Sequence, residues 1–221
     1  MRLYLFPPSS RGLGVVAVRN YLDLDCELTP IDLARGDQLA PEYVALNPNR
    51  KMPTLDDDDG FVVWESNAIM FYLATKRPER GLWPEDFRGQ ADVVRWLCWQ
   101  SAHWDAESCG MVAFEKSSKA VLGLGDPDQA FIARGEQNFA RFAAVLDDSL
   151  ENKKWIIGDR LTIADFSIGA LVPTATRLGL PIERFHAVDR WYRSLASLPA
   201  WQDALAARER ATASWLVAQK R

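Results

Sequence analysis

Residues 47–74 read NPNRKMPTLDDDDGFVVWESNAIMFYLA. Arg50 and Lys51 lead into Met52-Pro53 and a short apolar run, Thr54-Leu55. The acidic turn from Asp56 to Gly60 reverses the chain, Phe61 to Trp64 makes a second strand, and Glu65-Ser66 opens a helix. A proline just ahead of a strand belongs at an edge or at the strand's first residue, because it has no N–H to donate. X-Pro is also the bond type that adopts cis at little cost. A cis bond at Met52-Pro53 would turn the Met52 N–H and C=O outward, free to pair with an extended ligand as an added strand does.

The charges around this segment are complementary to a small zwitterion. Glu65 and Ser66 stand where a helix begins, and backbone N–H groups and the helix dipole favour a carboxylate there. The Glu65 side chain can accept from an ammonium, while Lys51 and Arg50 can pair with a second carboxylate. Spacing alone supports two readings. One is a cradle for a small peptide with a free amine and free carboxylates. The other is a plain β-hairpin followed by a helix with a serine near its cap.

The stretch resembles the glutathione-binding half of cytosolic glutathione transferases, whose thioredoxin-like domain carries a pattern of the form NPxxxxPTL…D…LxESxAIxxYL. It stands here as Asn47, Pro48, Pro53, Thr54, Leu55, Glu65, Ser66, Ala68, Ile69, Tyr72 and Leu73. The resemblance implies a cis Pro53, recognition of the γ-glutamyl group by Glu65 and Ser66, and pairing of the cysteinyl backbone at Met52. It also implies that Lys51, helped by Arg50, meets the glycyl carboxylate. Gln38, ahead of a short helix, matches by position a polar residue that reaches the same carboxylate.

Composition is compatible with that class and excludes others. The chain has 221 residues, 48% of them hydrophobic and 25% charged, as in ordinary globular proteins. A net charge of −4 argues against a nucleic-acid binder, which presents a basic face. No apolar stretch approaches the length of a membrane span. The amino-terminal residues MRLYLFPPSSRGLGVV lack a secretory h-region with a cleavage site and read as a strand followed by a helix. Three cysteines, Cys26, Cys98 and Cys109, without CxxC spacing do not suggest a disulfide framework or a zinc site. The two histidines, His103 and His186, do not make a metal site either. A cytoplasmic protein with no metal and no resident cofactor is expected.

Turn and breaker residues at Arg77-Pro78-Glu79-Arg80-Gly81 and Trp83-Pro84 divide the chain. Before them, strands at Leu3–Phe6, Cys26–Ile31, Thr54–Leu55 and Val62–Trp64 alternate with helices at Gly14–Leu22, Pro41–Leu46 and Ser66–Lys76. This β-α-β-α-β-β-α order predicts an α/β thioredoxin-like domain over residues 1–77. Residues 78–87 form a linker, and 88–221 an all-α helical bundle domain. In the second part, 89–121 is a helical run broken at Gly110, Phe139, Phe142, Leu146 and Leu150 form an apolar stripe, and Pro199 separates two last helices. Thr162 and Asp165 form a capping box, which resembles the S/T-x-x-D folding motif of the transferases' helical domain.

Conjugation of glutathione needs a thiolate, because the neutral thiol is a poor nucleophile. Ser9 and Ser10 follow the first strand at the start of a helix. Their segment resembles the YxxPxSS loop of serine-type transferases, which makes Ser9 the expected thiol-activating hydroxyl and Ser10 the alternative. Pro8 and Arg11 depart from the small residues common around that serine. Both serines also suit an N-cap that serves the helix alone. Gly12-Leu13-Gly14-Val15-Val16-Ala17, with Asp32 about twenty residues on, imitates a dinucleotide fingerprint. Five residues between strand and Gly12, and the helical second half, argue against that reading.

On the first long helix of the second part, Trp104, Glu107, Met111 and Phe114 recur at intervals that put them on one face. The resemblance to the transferases implies that this face walls a pocket for an electrophile; the spacing equally suits a helix–helix core or a dimer contact. The expected activity is transfer of the glutathione thiolate, glutathione being a co-substrate, to a small hydrophobic electrophile by a homodimer. Isomerase, dehalogenase and peroxidase variants fall within the same expectation. The alternative is a non-catalytic glutathione- or ligand-binding regulatory protein of the same fold.

Overall fold

The computed structural model describes residues 1–219, which fall into two units by contact. The first contains Met1–Arg80 together with the segment from Leu198 onward, and the second is Gly81–Ser197.

The first unit is built on four strands: β1 (Arg2–Leu5), β2 (Glu27–Pro30), β3 (Thr54–Asp56) and β4 (Val62–Trp64). Their order across the sheet is β2-β1-β3-β4. β1 runs parallel to β2 and antiparallel to β3, and β4 runs antiparallel to β3. Leu3 and Leu55 pair across β1 and β3 and are fully buried, so one side-chain row of the central strands forms core. Three helices, α1 (Ser10–Tyr21), α2 (Pro41–Leu46) and α3 (Ser66–Thr75), complete the expected β-α-β-α-β-β-α order. The Met52–Pro53 bond is cis, as the sequence suggested.

α1 begins four residues earlier than the apolar pattern indicated. Ser9 caps it by accepting the Gly12 N–H at 3.1 Å, so Ser10 to Leu13 join the first turn. Every residue from Gly12 to Val18 is buried, because α1 packs against both α3 and the last helix of the chain.

In the second unit, Phe87 to Val121 is helical throughout. It comprises α4 (Phe87–Trp99), a π-helical stretch Gln100–Cys109, α5 (Gly110–Ala113), a second π stretch Phe114–Ser118, and α6 (Lys119–Val121). Gly110 does not break the run. Its missing side chain makes room for Asp105, whose side chain and carbonyl occupy the space a Cβ would need. Then come α7 (Gln129–Leu150), α8 (Ile163–Gly169), α9 (Val172–Arg177) and α10 (His186–Ala196). Trp104, Phe139, Phe166 and Trp191 are fully buried and make the centre of this unit.

The capping box is present. Thr162 Oγ1 accepts from the Ala164 N–H at 3.3 Å, and Asp165 Oδ2 accepts the Thr162 N–H at 2.8 Å. Asp165 also receives the Ile156 N–H and the Trp191 indole N–H, each at 2.9 Å. One carboxylate thus ties α8, the turn before it and α10 together.

α11 (Pro199–Ala218) starts with proline at its first position, where no intrahelical N–H is needed. The sequence groups this helix with the helical region, but its contacts are with α1 in the first unit. Trp201 is fully buried, and Asn20 Nδ2 donates to the Ala200 carbonyl at 3.2 Å. No helix among the described residues is long and apolar enough to cross a membrane.

Candidate functional site

Strand register gathers the candidate segments at one edge of the sheet. Tyr4 on β1 stands opposite Thr54 on β3, and Thr54 opposite Trp64 on β4. β1 leaves this row toward Pro7, Pro8 and Ser9, β3 enters it from Met52 and Pro53, and β4 leaves it into Glu65 and Ser66. With strands about 4.8 Å apart, the outer two of these segments leave the sheet roughly 10 Å from each other. β2 is parallel to β1, so the chain beyond Pro30, which reaches Gln38, emerges on the same side. The N-termini of α1 and α3 open at this edge, and their partial positive charge favours anions there.

Ser9 serves the helix without exhausting its hydroxyl. Its Oγ accepts from Gly12, and its backbone N–H donates to the Phe6 carbonyl at 2.9 Å. A hydroxyl has one proton besides its acceptor lone pairs. The Ser9 proton is given to no other described residue, so capping and donation to a ligand are compatible. Ser10 is the first residue of α1 and half-buried. Tyr4 is half-buried, its ring edge-on to Tyr43 at 5.8 Å.

The loop before β3 is held by a polar knot. The Lys51 carbonyl accepts from the Tyr43 hydroxyl at 2.6 Å and from Asn47 Nδ2 at 2.8 Å. Asn47 Nδ2 also reaches Thr54 Oγ1 at 3.0 Å, and Thr54 Oγ1 lies 2.9 Å from the Tyr43 hydroxyl. Tyr43 has one proton and spends it on Lys51, so Thr54 donates to Tyr43. Burial raises the Tyr43 hydroxyl above its ordinary pKa, which keeps it a donor. On the other side, Asn47 Oδ1 accepts the Asn49 N–H at 3.0 Å, and the Asn47 carbonyl accepts the Arg50 N–H at 2.9 Å. Arg50 takes a left-handed φ of 56° in this turn. All three anchors, Tyr43, Asn47 and Thr54, are buried, whereas the Arg50 and Lys51 side chains are exposed. The knot fixes the Lys51 carbonyl and leaves the Met52 N–H and C=O without a protein partner among the described residues.

Glu65 sits at the N-cap of α3 with φ 71°, a region that non-glycine residues avoid. Its carboxylate is exposed and makes no hydrogen bond or ion pair with a described residue. Ser66, half-buried, is the first residue of α3. The far end of that helix is pinned to the β3–β4 turn. Lys76 Nζ lies 2.6 Å from Asp57 Oδ2, and the Tyr72 hydroxyl donates to the same oxygen. The Lys76 ammonium, then the Tyr72 hydroxyl, hold the Asp57 carboxyl down to about 2. A helix tethered this way presents Glu65 and Ser66 at a fixed place on the sheet edge.

Gln38 lies in a single 3₁₀ turn, Asp37–Leu39, with its Oε1 buried and unpartnered. Of the four residues on the long helix, Trp104, Glu107 and Met111 all meet α7, which is the helix–helix alternative. Trp104 is fully buried, stacks on Trp99 and donates its indole N–H to the Ile168 carbonyl at 3.2 Å, which makes it core and not pocket wall. Glu107 faces Arg141 at 3.6 Å, Met111 is half-buried and lies toward Gly135 of α7, and Phe114 is exposed. Within this partly π-helical run burial recurs at Gln100, Trp104, Ser108 and Val112, an interval of four.

Tyr43 was not legible as an anchor, since a lone tyrosine on a short helix has many roles. Asn47 and Thr54 carried a signal, because an Asn-Pro-Asn turn followed by Pro-Thr places side-chain amide and hydroxyl next to free backbone carbonyls.

Comparison with known proteins gives the family. The family model described as "Glutathione S-transferase, N-terminal domain" matches residues 1–75, and that described as "Glutathione S-transferase, C-terminal domain" matches residues 106–199. Glutathione S-transferase 3 of Zea mays is 34% identical over 214 residues, covering 94% of each chain. A glutathione S-transferase of Drosophila melanogaster is 32% identical over 209 residues, covering 92% of this chain and 88% of its own. A crystal structure of a glutathione transferase from Phanerochaete chrysosporium in complex with oxidized glutathione has a TM-score of 0.85 at 26% identity, covering 95% of this chain and 96% of that one.

Proposed function

The chain belongs to the glutathione S-transferase family, and from that premise we propose how its sheet edge holds and activates glutathione. The protein is a glutathione transferase. The cysteinyl backbone pairs with the Met52 N–H and C=O. The γ-glutamyl ammonium meets the Glu65 carboxylate, and the γ-glutamyl carboxylate meets Ser66 at the N-terminus of α3. The glycyl carboxylate is met by Lys51 and Arg50, with Gln38 on the same side of the sheet. The sulfur falls beside Ser9, with Ser10 as the alternative donor.

The observation that carries this reading is the Tyr4–Thr54–Trp64 register. It brings to one edge a hydroxyl proton, an unpaired backbone N–H and C=O, and an unpaired carboxylate, in the order the tripeptide needs.

The chemistry asked of the protein is modest. Lowering a free thiol's pKa by about two units takes roughly 2.7 kcal/mol of preference for the anion. A hydroxyl donor to a charged acceptor supplies about 1.5–3 kcal/mol. The positive end of α1 adds up to about 2 kcal/mol when partly shielded from water. The thiolate then attacks a small apolar electrophile. Trp104 has no part in that pocket. Cytoplasmic location and a homodimer belong to the same proposal, the latter supported by the exposed Phe61, Trp64 and Phe71 on the first unit.

The test is the ultraviolet absorbance of the thiolate of bound glutathione as a function of pH, with and without Ser9→Ala. The expected result is a lowered apparent pKa that rises toward that of free glutathione in the variant. Binding with an unshifted pKa in the unaltered protein would sink the catalytic reading and leave the non-catalytic binder.

A further inference from the structure

Asp32, which in the sequence imitates the acidic residue of a dinucleotide site, has another partner in the fold. Its Oδ1 receives the Trp215 indole N–H at 2.9 Å, and its Oδ2 receives Gln219 Nε2 at 2.7 Å. Trp215 and Gln219 are one helical turn apart at the end of α11, and each grips a different oxygen of one carboxylate. The Ala34 N–H adds a third donor at 2.9 Å. Burial alone would raise the Asp32 carboxyl, yet the donors from Trp215, Ala34 and Gln219 outweigh it and hold the group below its usual pKa. The latch therefore stays charged through the neutral range.

The same indole has a second contact. Its ring lies edge-on to Phe6, with centroids 5.1 Å apart. Phe6 is the first residue beyond β1, and its carbonyl accepts the Ser9 N–H at 2.9 Å. The last rung joining β1 to the β2 segment is the Ile31 N–H to the Leu5 carbonyl at 2.9 Å. Past that rung the sheet no longer orients the chain. The ring contact with Trp215 and the turn that ends at Ser9 take over.

We propose that Trp215 is a positioning residue for the Ser9 turn. The Asp32–Gln219–Trp215 latch fastens the end of α11 to the carboxyl edge of the parallel strands, and the indole, pressed on Phe6, sets the Ser9 hydroxyl for the sulfur. The inference rests on the reading of Ser9 as the sulfur's donor. Trp215 touches neither sulfur nor electrophile in this assignment and acts through Phe6.

The experiment is a cycle of Trp215→Ala, Ser9→Ala and the double variant in the full-length protein, read by the pH dependence of bound-thiolate absorbance and by kcat and KM for glutathione. Trp215→Ala is expected to raise the apparent thiol pKa by about half a unit and to lower kcat about 1.5- to two-fold at neutral pH, with KM for glutathione unchanged. The shift is expected to vanish when Ser9 is already alanine. If Ser9→Ala raises the pKa and Trp215→Ala does not, the positioning role is overturned while the Ser9 reading stands. A Trp215 shift that persists in full without the Ser9 hydroxyl also overturns it. If Ser9→Ala itself has no effect, the Ser9 reading fails and the proposal falls with it. Gln219→Glu, on the exposed side of α11, provides a variant that leaves the Phe6 contact untouched and sets a like charge against Asp32. It is expected to move the pKa in the same direction by a smaller amount, and no movement counts against the latch.

Discussion

The Tyr43 hydroxyl donates to the carbonyl of Lys51 at 2.6 Å, across eight residues of chain and from a buried side chain to the backbone of an exposed loop. This bond and the Asn47 amide hold the peptide group that immediately precedes Met52. Tyr43→Phe leaves Thr54 and Lys51 each short of a partner. It is expected to cost about 1–2 kcal/mol in urea unfolding. The KM for glutathione should rise several-fold while kcat changes little, because the binding strand moves and the sulfur's donor does not. A kcat loss as large as the KM gain would show that the loop and the Ser9 turn are not independent.

Ser9→Ala removes both a helix cap and a donor. The cap accounts for about 1 kcal/mol of stability. The donor accounts for a rise in the thiol pKa of one unit or more, hence at least about a three-fold loss of kcat at neutral pH that is recovered at high pH. Ser10→Ala is the comparison. If it produces the larger shift, the two serines exchange roles.

Glu65→Gln keeps the strained backbone and the shape of the side chain but removes its charge. The loss of one charge-assisted hydrogen bond to the γ-glutamyl ammonium corresponds to about 10–100-fold in the dissociation constant of glutathione. Titration calorimetry checks this directly. An analogue lacking that amine should bind both proteins equally, and a persisting difference would remove the ammonium from Glu65.

Asp165 is fully buried, and burial pushes its carboxyl up to about 6 against the pull of donors from Ile156, Thr162 and Trp191. A folded-state pKa above the unfolded value gives stability that is present below the unfolded pKa, near 4, and declines as pH rises through the folded value. Asp165→Ala strands several buried donors and is expected to destabilise by about 3–5 kcal/mol. The stability gap between the two proteins should narrow by about 2 kcal/mol between pH 4 and pH 7. Unfolding curves at both ends of this range test the sign, and a gap that widens with pH would mean the carboxyl is held below, not above, its ordinary value.

The parts of the site that were legible in the sequence are those made by neighbours. The Asp56–Gly60 reversal, the Thr162–Asp165 box and the Met52–Pro53–Thr54 strand entry each depend on a few adjacent residues. Ser9 was legible as a cap for the same reason. The role of Asp32 was not legible, because its partner Trp215 is 183 residues away. The role of Trp104 was not legible because helical spacing groups it with Glu107 and Met111 but does not say what covers that face, which in the fold is α7.

The chain's own pattern of turns, caps and apolar alternation determined the order of elements, the thioredoxin-like class of the first part, and which residues could recognise an amine and two carboxylates. Tertiary structure decided the rest: that Tyr4, Thr54 and Trp64 align, that Tyr43 and Asn47 hold the Lys51 carbonyl, that α11 packs with the first unit, and that Trp104 is core. The physical reason is the range of the forces involved. Turn and cap preferences are settled within a few residues, whereas register, burial and long-range hydrogen bonds are settled only when distant surfaces compete to exclude water from the same core.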